Sequence, residues 1–195
     1  MADYTALTEA GTALVELLRD NLTPEPLGNR ELINLCSPHE SENNQLTLYL
    51  YHIEEDAQNM TAGYYSVDSS TERMQPARYN LHFLMTSHSK APAQMKEADQ
   101  YRIMGAAIQT LRDNPVIPQK FLNGSLAAEN AQLHVSVDRI PMEQLLKIWN
   151  NTSKDYKLSM VVSVIGVTID SRRERRTARV TEVIIGTEQK KGENP

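Results

Sequence analysis

Five histidines, a single cysteine and a short acidic run are the side chains best placed by type to do chemistry. His82 and His88 fall within and just after one alternating apolar stretch. His52 could join them across a strand pair, which would gather imidazoles for a metal ion or for proton transfer. The same pattern is produced by histidines satisfied by hydrogen bonds on the polar face of a sheet. Cys36-x-x-His39 offers metal-ligand spacing, but a structural zinc site needs two more ligands. Glu54, Glu55 and Asp56 read either as an acid–base or cation site or as a solvated turn. Paired carboxylates work from opposite sides of a substrate, which adjacency in a chain does not provide. Only 8 glycines occur, and none builds a phosphate-cradling loop or a nucleophile elbow. No catalytic, cofactor-binding or metal-ligating residue is assigned on these grounds.

The residues that could make contacts are more numerous. Tyr64 and Tyr65 lie in a polar stretch, where adjacent aromatics suit a contact surface; Tyr49 and Tyr51 belong to a strand and suit sheet packing. Arg172, Arg173, Arg175 and Arg176 surround Glu174. Such a basic segment can meet phosphates, face an acidic partner surface, or be a solvated turn. The chain as a whole has 20 Lys and Arg against 25 Asp and Glu, a formal charge of −5. That balance is unlike a general nucleic-acid binder. Residues 177–186 are β-prone without a clean apolar face. Val180, Val183 and Ile185 there could pair with another chain by strand addition or form an ordinary edge strand.

These candidates need elements to position them. With 195 residues and 22.0 kDa, the chain can bury a proper core. No run of about 18 apolar residues suggests a membrane span. The start carries no basic-then-apolar leader pattern, and one cysteine makes no internal disulfide. A cytoplasmic place of synthesis is expected.

Steps of three and four between Leu7, Leu14, Leu17, Leu18 and Leu22 predict a helix over residues 4–22, capped by Asp3 or Thr5 and stopped by Pro24. A short strand is expected at 32–35. Residues 46–53 read as a strand apolar on both faces: Leu46, Leu48 and Leu50 on one, Tyr49, Tyr51 and Ile53 on the other. Residues 54–75 read as a long polar loop, and 78–86 as a strand antiparallel to the previous one. Pro92 opens a helix running to Asp113. One stripe of it is Met95, Ala98, Arg102, Gly105, Ile108 and Arg112; its neighbour is Met104, Ala107 and Leu111. Gly105 and nearby alanines would allow close approach to a sheet. A strand at 133–138, a short helix after Pro141 with Trp149 in the core, and a long strand at 158–169 complete the pattern. Residues 171–176 read as a charged break. The expected class is α+β: a mixed, largely antiparallel central sheet flanked by helices, with a C-terminal β-arm. The expected division is a domain at 1–171, then a basic hinge, β-arm and polar tail at 172–195.

Several stretches taken in order carry a family resemblance. They are Leu48-Tyr49-Leu50-Tyr51-His52-Ile53 with Asn59; residues Leu81, Phe83, Leu84 and Thr86; the helix with Met104-Gly105; and Leu145 and Trp149 followed by Tyr156 and Ser159. The chain resembles the N-terminal domain of the cap, or tail-terminator, proteins of phage-tail-like contractile injection particles, of the virulence-cassette and antifeeding-prophage type. The likeness runs roughly from Leu7 to Ile169 and leaves residues 172–195 unsupported. It implies an α/β tail-terminator fold and a structural, non-enzymatic protein without cofactor. It further implies a ring, a homohexamer, on the end of an inner tube and sheath, with sheath and tube proteins and the chain itself as partners and neither nucleic acid nor membrane. A phage neck or tail-completion protein, an assembly chaperone, and an enzyme with an unrecognised site are the alternatives. Within this reading Tyr64, Tyr65, Arg172, Arg173, Arg175, Arg176, Val180, Val183 and Ile185 are the expected interface residues.

Overall fold

The computed structural model describes residues 2–38, 43–56, 63–152 and 154–176. Its elements run α1 (Ala6–Leu22), β1 (Ile33–Leu35), β2 (Leu46–Glu55), β3 (Tyr64–Ser66), β4 (Thr71–Met74), β5 (Ala77–Ser87), α2 (Lys96–Asp113), α3 (Gly124–Ala128), β6 (His134–Asp138), α4 (Met142–Asn150), β7 (Ser159–Ile169) and β8 (Glu174–Arg176). They fall into two compact units, Met1–Thr61 with Pro76–Asp170, and Ala62–Gln75 with Ser171–Pro195. The strand expected at 177–186 and its Val180, Val183 and Ile185 lie outside the described residues, as do His39 and Asn59.

The larger unit is α+β, with one mixed sheet in the order β1-β2-β5-β7-β6. Only β1 runs parallel to its neighbour; the other pairs are antiparallel. Alternation along the strands fills one face with Leu46, Leu48, Leu81, Phe83, Met85, Val162 and Val164, which pack with α1, α2 and α3 in the main core. Leu14, Leu17, Leu18 and Leu22 of α1 are fully buried there, as their helical spacing requires. On the opposite face Leu84 and Val161 meet Leu145 and Trp149 of α4, with Tyr49 and Tyr51 alongside. Trp149 buries its ring and donates Nε1–H to Ser159 Oγ at 2.8 Å, so its polar edge is satisfied. Among the described residues no helix is long and apolar enough to cross a membrane.

Three local expectations are corrected, and the choice between the two stripes of α2 is settled. Pro92 sits in a turn whose carbonyl accepts from Met95 N–H, and the helix proper begins at Lys96. The buried stripe of α2 is Ile103, Met104, Ala107 and Leu111, while Met95 is 64% exposed and Gly105 faces open space. Turning the other stripe inward would have desolvated Arg102 and Arg112. A bulge at Tyr51 shifts the parity of β2: Leu50 pairs with Phe83 and His52 with His82, so Ile53 leaves the face of Tyr49 and Tyr51. Thr5 holds the N-cap position of α1 but makes no cap bond; its hydroxyl donates to Glu9 Oε1 at 2.6 Å.

Glu9 ties α1 to α3. Its Oε2 accepts from Leu126 N–H and Ser125 Oγ–H, each at 2.9 Å. Burial pushes the carboxyl up, but the hydrogen bonds from Thr5, Leu126 and Ser125 outweigh it and hold the group below its ordinary value. The carboxylate lies over Gly124, which has φ +54°, and a Cβ there would come within 2.3 Å of Glu9 Oε1. Gly124→Ala therefore combines backbone strain with a collision and should cost more than about 1 kcal/mol. Denaturant unfolding measures it; a wild-type midpoint would disprove this packing.

His88 closes the far end of the sheet. Its Nδ1 is 3.2 Å from Lys157 Nζ, which can only donate, so Nε2 carries the ring proton and donates to Thr47 Oγ1 at 3.0 Å. Burial, followed by the Lys157 charge, lowers its pKa from 6.5 to about 4. The unfolded chain therefore binds the proton first. Stability is complete above pH 6.5, falls as pH drops toward 4, and levels below, a loss of at most about 3 kcal/mol. His88→Gln should remove this slope from unfolding curves taken across that pH range, whereas an unchanged slope would place its cause elsewhere.

Candidate functional site

The smaller unit collects all six described interface candidates. Its sheet has the order β3-β4-β8, both pairs antiparallel. Residues expected to form a loop and a charged break instead pair with each other. Val67 N–H donates to Thr71 C=O at 2.9 Å, and Asp68 Oδ1 accepts from Ser70 N–H and Thr71 N–H at 2.7 and 2.8 Å, so the β3–β4 turn is tied from within. Hydrogen bonding, first from the Ser70 amide, holds the Asp68 carboxyl below its ordinary value.

Charge sets the register of β4 against β8. Glu72 faces Arg175 and Arg73 faces Glu174. Arg175 Nε donates to Glu72 Oε2 at 2.8 Å, and Arg73 Nε to Glu174 Oε1 at 3.1 Å. The guanidinium of Arg175 also lies over the Tyr64 ring, 4.1 Å from its centroid. The hydrogen bond that Arg73 donates to Glu174, more than the charge beside it, raises the Arg73 pKa.

Tyr64, Tyr65, Arg172, Arg173, Arg175 and Arg176 are thus brought into one unit. Tyr64 and Tyr65 are half-buried on β3; the four arginines are exposed. Arg175 and Tyr64 spend their contacts inside the unit. Among the described residues β3 and β8 are its outer strands, and outer strands are where backbone groups can meet another chain. The pairing had a signal in the sequence. Glu72-Arg73 and Glu174-Arg175 have the same order, so antiparallel alignment sets each acid against an arginine.

A second constellation lies in the larger unit, on the sheet face that carries α4. His52, His82, Ser163 and Ser136 stand in one cross-strand row. His82 Nδ1 is 2.6 Å from Ser163 Oγ and 3.1 Å from Asp138 Oδ2, and Ser163 donates a short hydrogen bond to the same Asp138 oxygen. The His52 and His82 rings stack with centroids 5.4 Å apart. Burial, and then the Asp138 charge, raise the pKa of nearby Tyr51. Serine, histidine and aspartate do not form an acyl-transfer triad here. In a triad the imidazole separates serine from carboxylate through its two nitrogens. Here both partners meet Nδ1, and buried Ser163 gives its proton to the acid. His88 belongs to neither group: it sits with Thr47 and Lys157.

Two pockets flank β2. One of about 340 Å³ is lined by Leu7, Gly11, Leu35, Leu48, Leu50 and Phe83 among others; one of about 140 Å³ lies between Tyr49, Tyr51 and the end of α4. Among the described residues neither gathers carboxylates, imidazoles or cationic groups. Cys36, at the first of them, accepts a hydrogen bond from Asn44 Nδ2 at 3.3 Å. Glu54 and Glu55 end β2, and Asp56 faces Arg78 at 3.7 Å, so the acidic triplet is divided between a strand end and an ion pair.

The fold is similar to that of a solved sheath/tube terminator of PVC, an extracellular contractile injection system, in its extended state. The TM-score is 0.67 and the identity 18%, over 97% of this chain and 65% of that one. It is also similar to the solved tube-terminating cap of the anti-feeding prophage, with a TM-score of 0.60 and 18% identity over 90% of this chain and 59% of that one. The chain therefore spans about two thirds of the length of these proteins or less. No curated protein matches it. The model of the Pvc16 N-terminal domain family matches residues 9–182, most of the chain, and the protein belongs to that family.

Proposed function

We propose that this protein is a structural cap, or tail terminator, of a contractile injection particle. It would form a ring, a homohexamer, on the end of the inner tube and sheath, and act without catalysis. The observation that carries the reading is the likeness over 97% of the chain to a sheath/tube terminator, together with family membership. It would assemble in the cytoplasm of the producing cell and leave as part of the particle.

The physical task is definite. A tube and a sheath grow by head-to-tail contacts that never close along the axis, whereas a ring is made of head-to-tail contacts that do close. A terminator needs one surface that fits the polymer end, two for its ring neighbours, and an outer surface that accepts no further subunit. The β3-β4-β8 unit supplies candidates. Arg172, Arg173 and Arg176 present cations, Tyr65 presents an aromatic face, and the outer strands present backbone. Tyr64 and Arg175 support the unit that displays them. Val180, Val183 and Ile185 extend the proposal to strand addition, on sequence grounds alone.

Particles from a strain lacking this chain should have a broad spread of sheath lengths and frayed ends in electron micrographs, with uniformity restored by the gene in trans. Uniform, stable particles without it would overturn the cap reading. A triple Ser variant at Arg172, Arg173 and Arg176 spares Arg175 and its contacts with Glu72 and Tyr64. Its circular dichroism should be unchanged while its occupancy on purified particles drops about tenfold, the cost of a few lost charge contacts. Normal occupancy would remove this arginine group from the interface.

A further inference from the structure

Outside the proposed interface, one cluster has an unmet electrostatic demand. His52 of β2 and His82 of β5 face each other across the ladder, and Glu54 lies two residues along β2 on the same side. One ligand atom from each of the three lies within 4.8 Å of the others. The proton of His82 can be placed. Ser163 gives its hydroxyl hydrogen to Asp138, so Ser163 Oγ and Asp138 Oδ2 both act as acceptors toward His82 Nδ1, which carries the hydrogen. With Nδ1 engaged in this way, Nε2 is the ring nitrogen left to bind a cation. Among the described residues that nitrogen is buried without a hydrogen-bond partner, and Glu54 Oε2 lies 3.4 Å from it. A cation placed between Glu54 Oε2 and this nitrogen would be held by both.

We propose that His52, Glu54 and His82 form a zinc site, with Asp138 and Ser163 as its positioning residues. Two imidazoles and a carboxylate are a donor set suited to zinc, whereas magnesium and calcium prefer oxygen alone. Three protein ligands leave a fourth tetrahedral position, and the exposure of His52 and Glu54 opens it to water. A carboxylate on the far nitrogen of a ligating histidine fixes its tautomer and raises its basicity, which is the part Asp138 plays for His82. The β2 bulge contributes directly: it puts Tyr51 and His52 in succession before the register resumes, and so sets His52 opposite His82. The bound ion would clamp the end of β2 to β5. This site does not depend on the cap reading, and its test uses no particles.

The experiment is titration of the metal-free full chain with zinc chloride by calorimetry, with thermal melts alongside. One equivalent should bind and raise the melting temperature. His52→Ala and Glu54→Gln alter exposed side chains and should leave the metal-free fold unchanged by circular dichroism, yet each should weaken zinc binding about tenfold or more. Asp138→Asn keeps all three ligands and should weaken binding by about the same factor. A cobalt-substituted sample should show visible d–d bands without a thiolate charge-transfer band. No zinc-dependent heat or melting shift would overturn the site. So would His52→Ala and Glu54→Gln variants that titrate like the wild type, or a thiolate band assigning the metal to Cys36.

Discussion

Strands β5 and β7 run antiparallel through ten paired positions, from Ala77 opposite Ile169 to Thr86 opposite Ser159, and the larger unit is organised around that ladder. Both strands lie in the interior of the sheet, so each must satisfy two covering layers at once. Leu81, Phe83 and Met85 answer to α1 and α2, while Leu84 answers to α4. A slip of one residue would exchange the two sets and bring His82 and Ser163 into the apolar core. The penalty for burying those polar groups without partners is what makes the register single-valued.

The ladder is regular except where it is made irregular. Gly166 takes φ +96° at the point where Asn80 opposite Ile165 gives way to Tyr79 opposite Val167. A Cβ at this position would stand 2.9 Å from the Arg78 guanidinium and 3.3 Å from the carbonyl of Gln132. Glycine therefore meets a conformational and a spatial demand together. The effect is to keep Val164 and Val167 both in the main core although they are three residues apart. Tyr51 does the corresponding job on β2, with the result that an imidazole pair stands next to a tyrosine on one face. A bulge costs backbone pairing and gains a choice of which side chains share a surface.

The legible and illegible parts of the sequence divide along the same physical line. Signals that repeat over many residues could be read. The leucine spacing of α1, the alternation of β5 and the β-branched run of β7 each gave an element of the right type and nearly the right bounds, and the mixed, largely antiparallel class followed. Single-residue events were not readable, because one glycine or one tyrosine in a strand does not announce a bulge. The face of α2 was ambiguous for a related reason: two apolar stripes lay side by side, and only desolvation of Arg102 and Arg112 separated them. Long-range charge pairing was hidden by distance along the chain, although the matching Glu-Arg dipeptides at 72–73 and 174–175 carried it. At the candidate site, residue types were legible and partners were not. Arg175 was identified as a contact residue, but its role in holding Glu72 and Tyr64 could be known only once β4 and β8 were adjacent.

That division bears on what a terminator has to be. A surface that recognises a polymer end must hold its charges in fixed places, because an unconstrained arginine loses side-chain entropy on docking. The β3-β4-β8 unit has few apolar side chains to order it. It relies instead on an internally tied turn, two cross-strand ion pairs and a cation over an aromatic ring. Exposed ion pairs are individually weak, but in adjacent rows they agree on one register, and a sheet of three short strands needs that agreement more than it needs strength. Glu72, Arg73, Glu174 and Arg175 are tied into pairs, and Arg172, Arg173 and Arg176 are exposed beside that ordered strand. A partner surface would then meet charges whose backbone is largely fixed before contact, which lowers the entropic cost of joining.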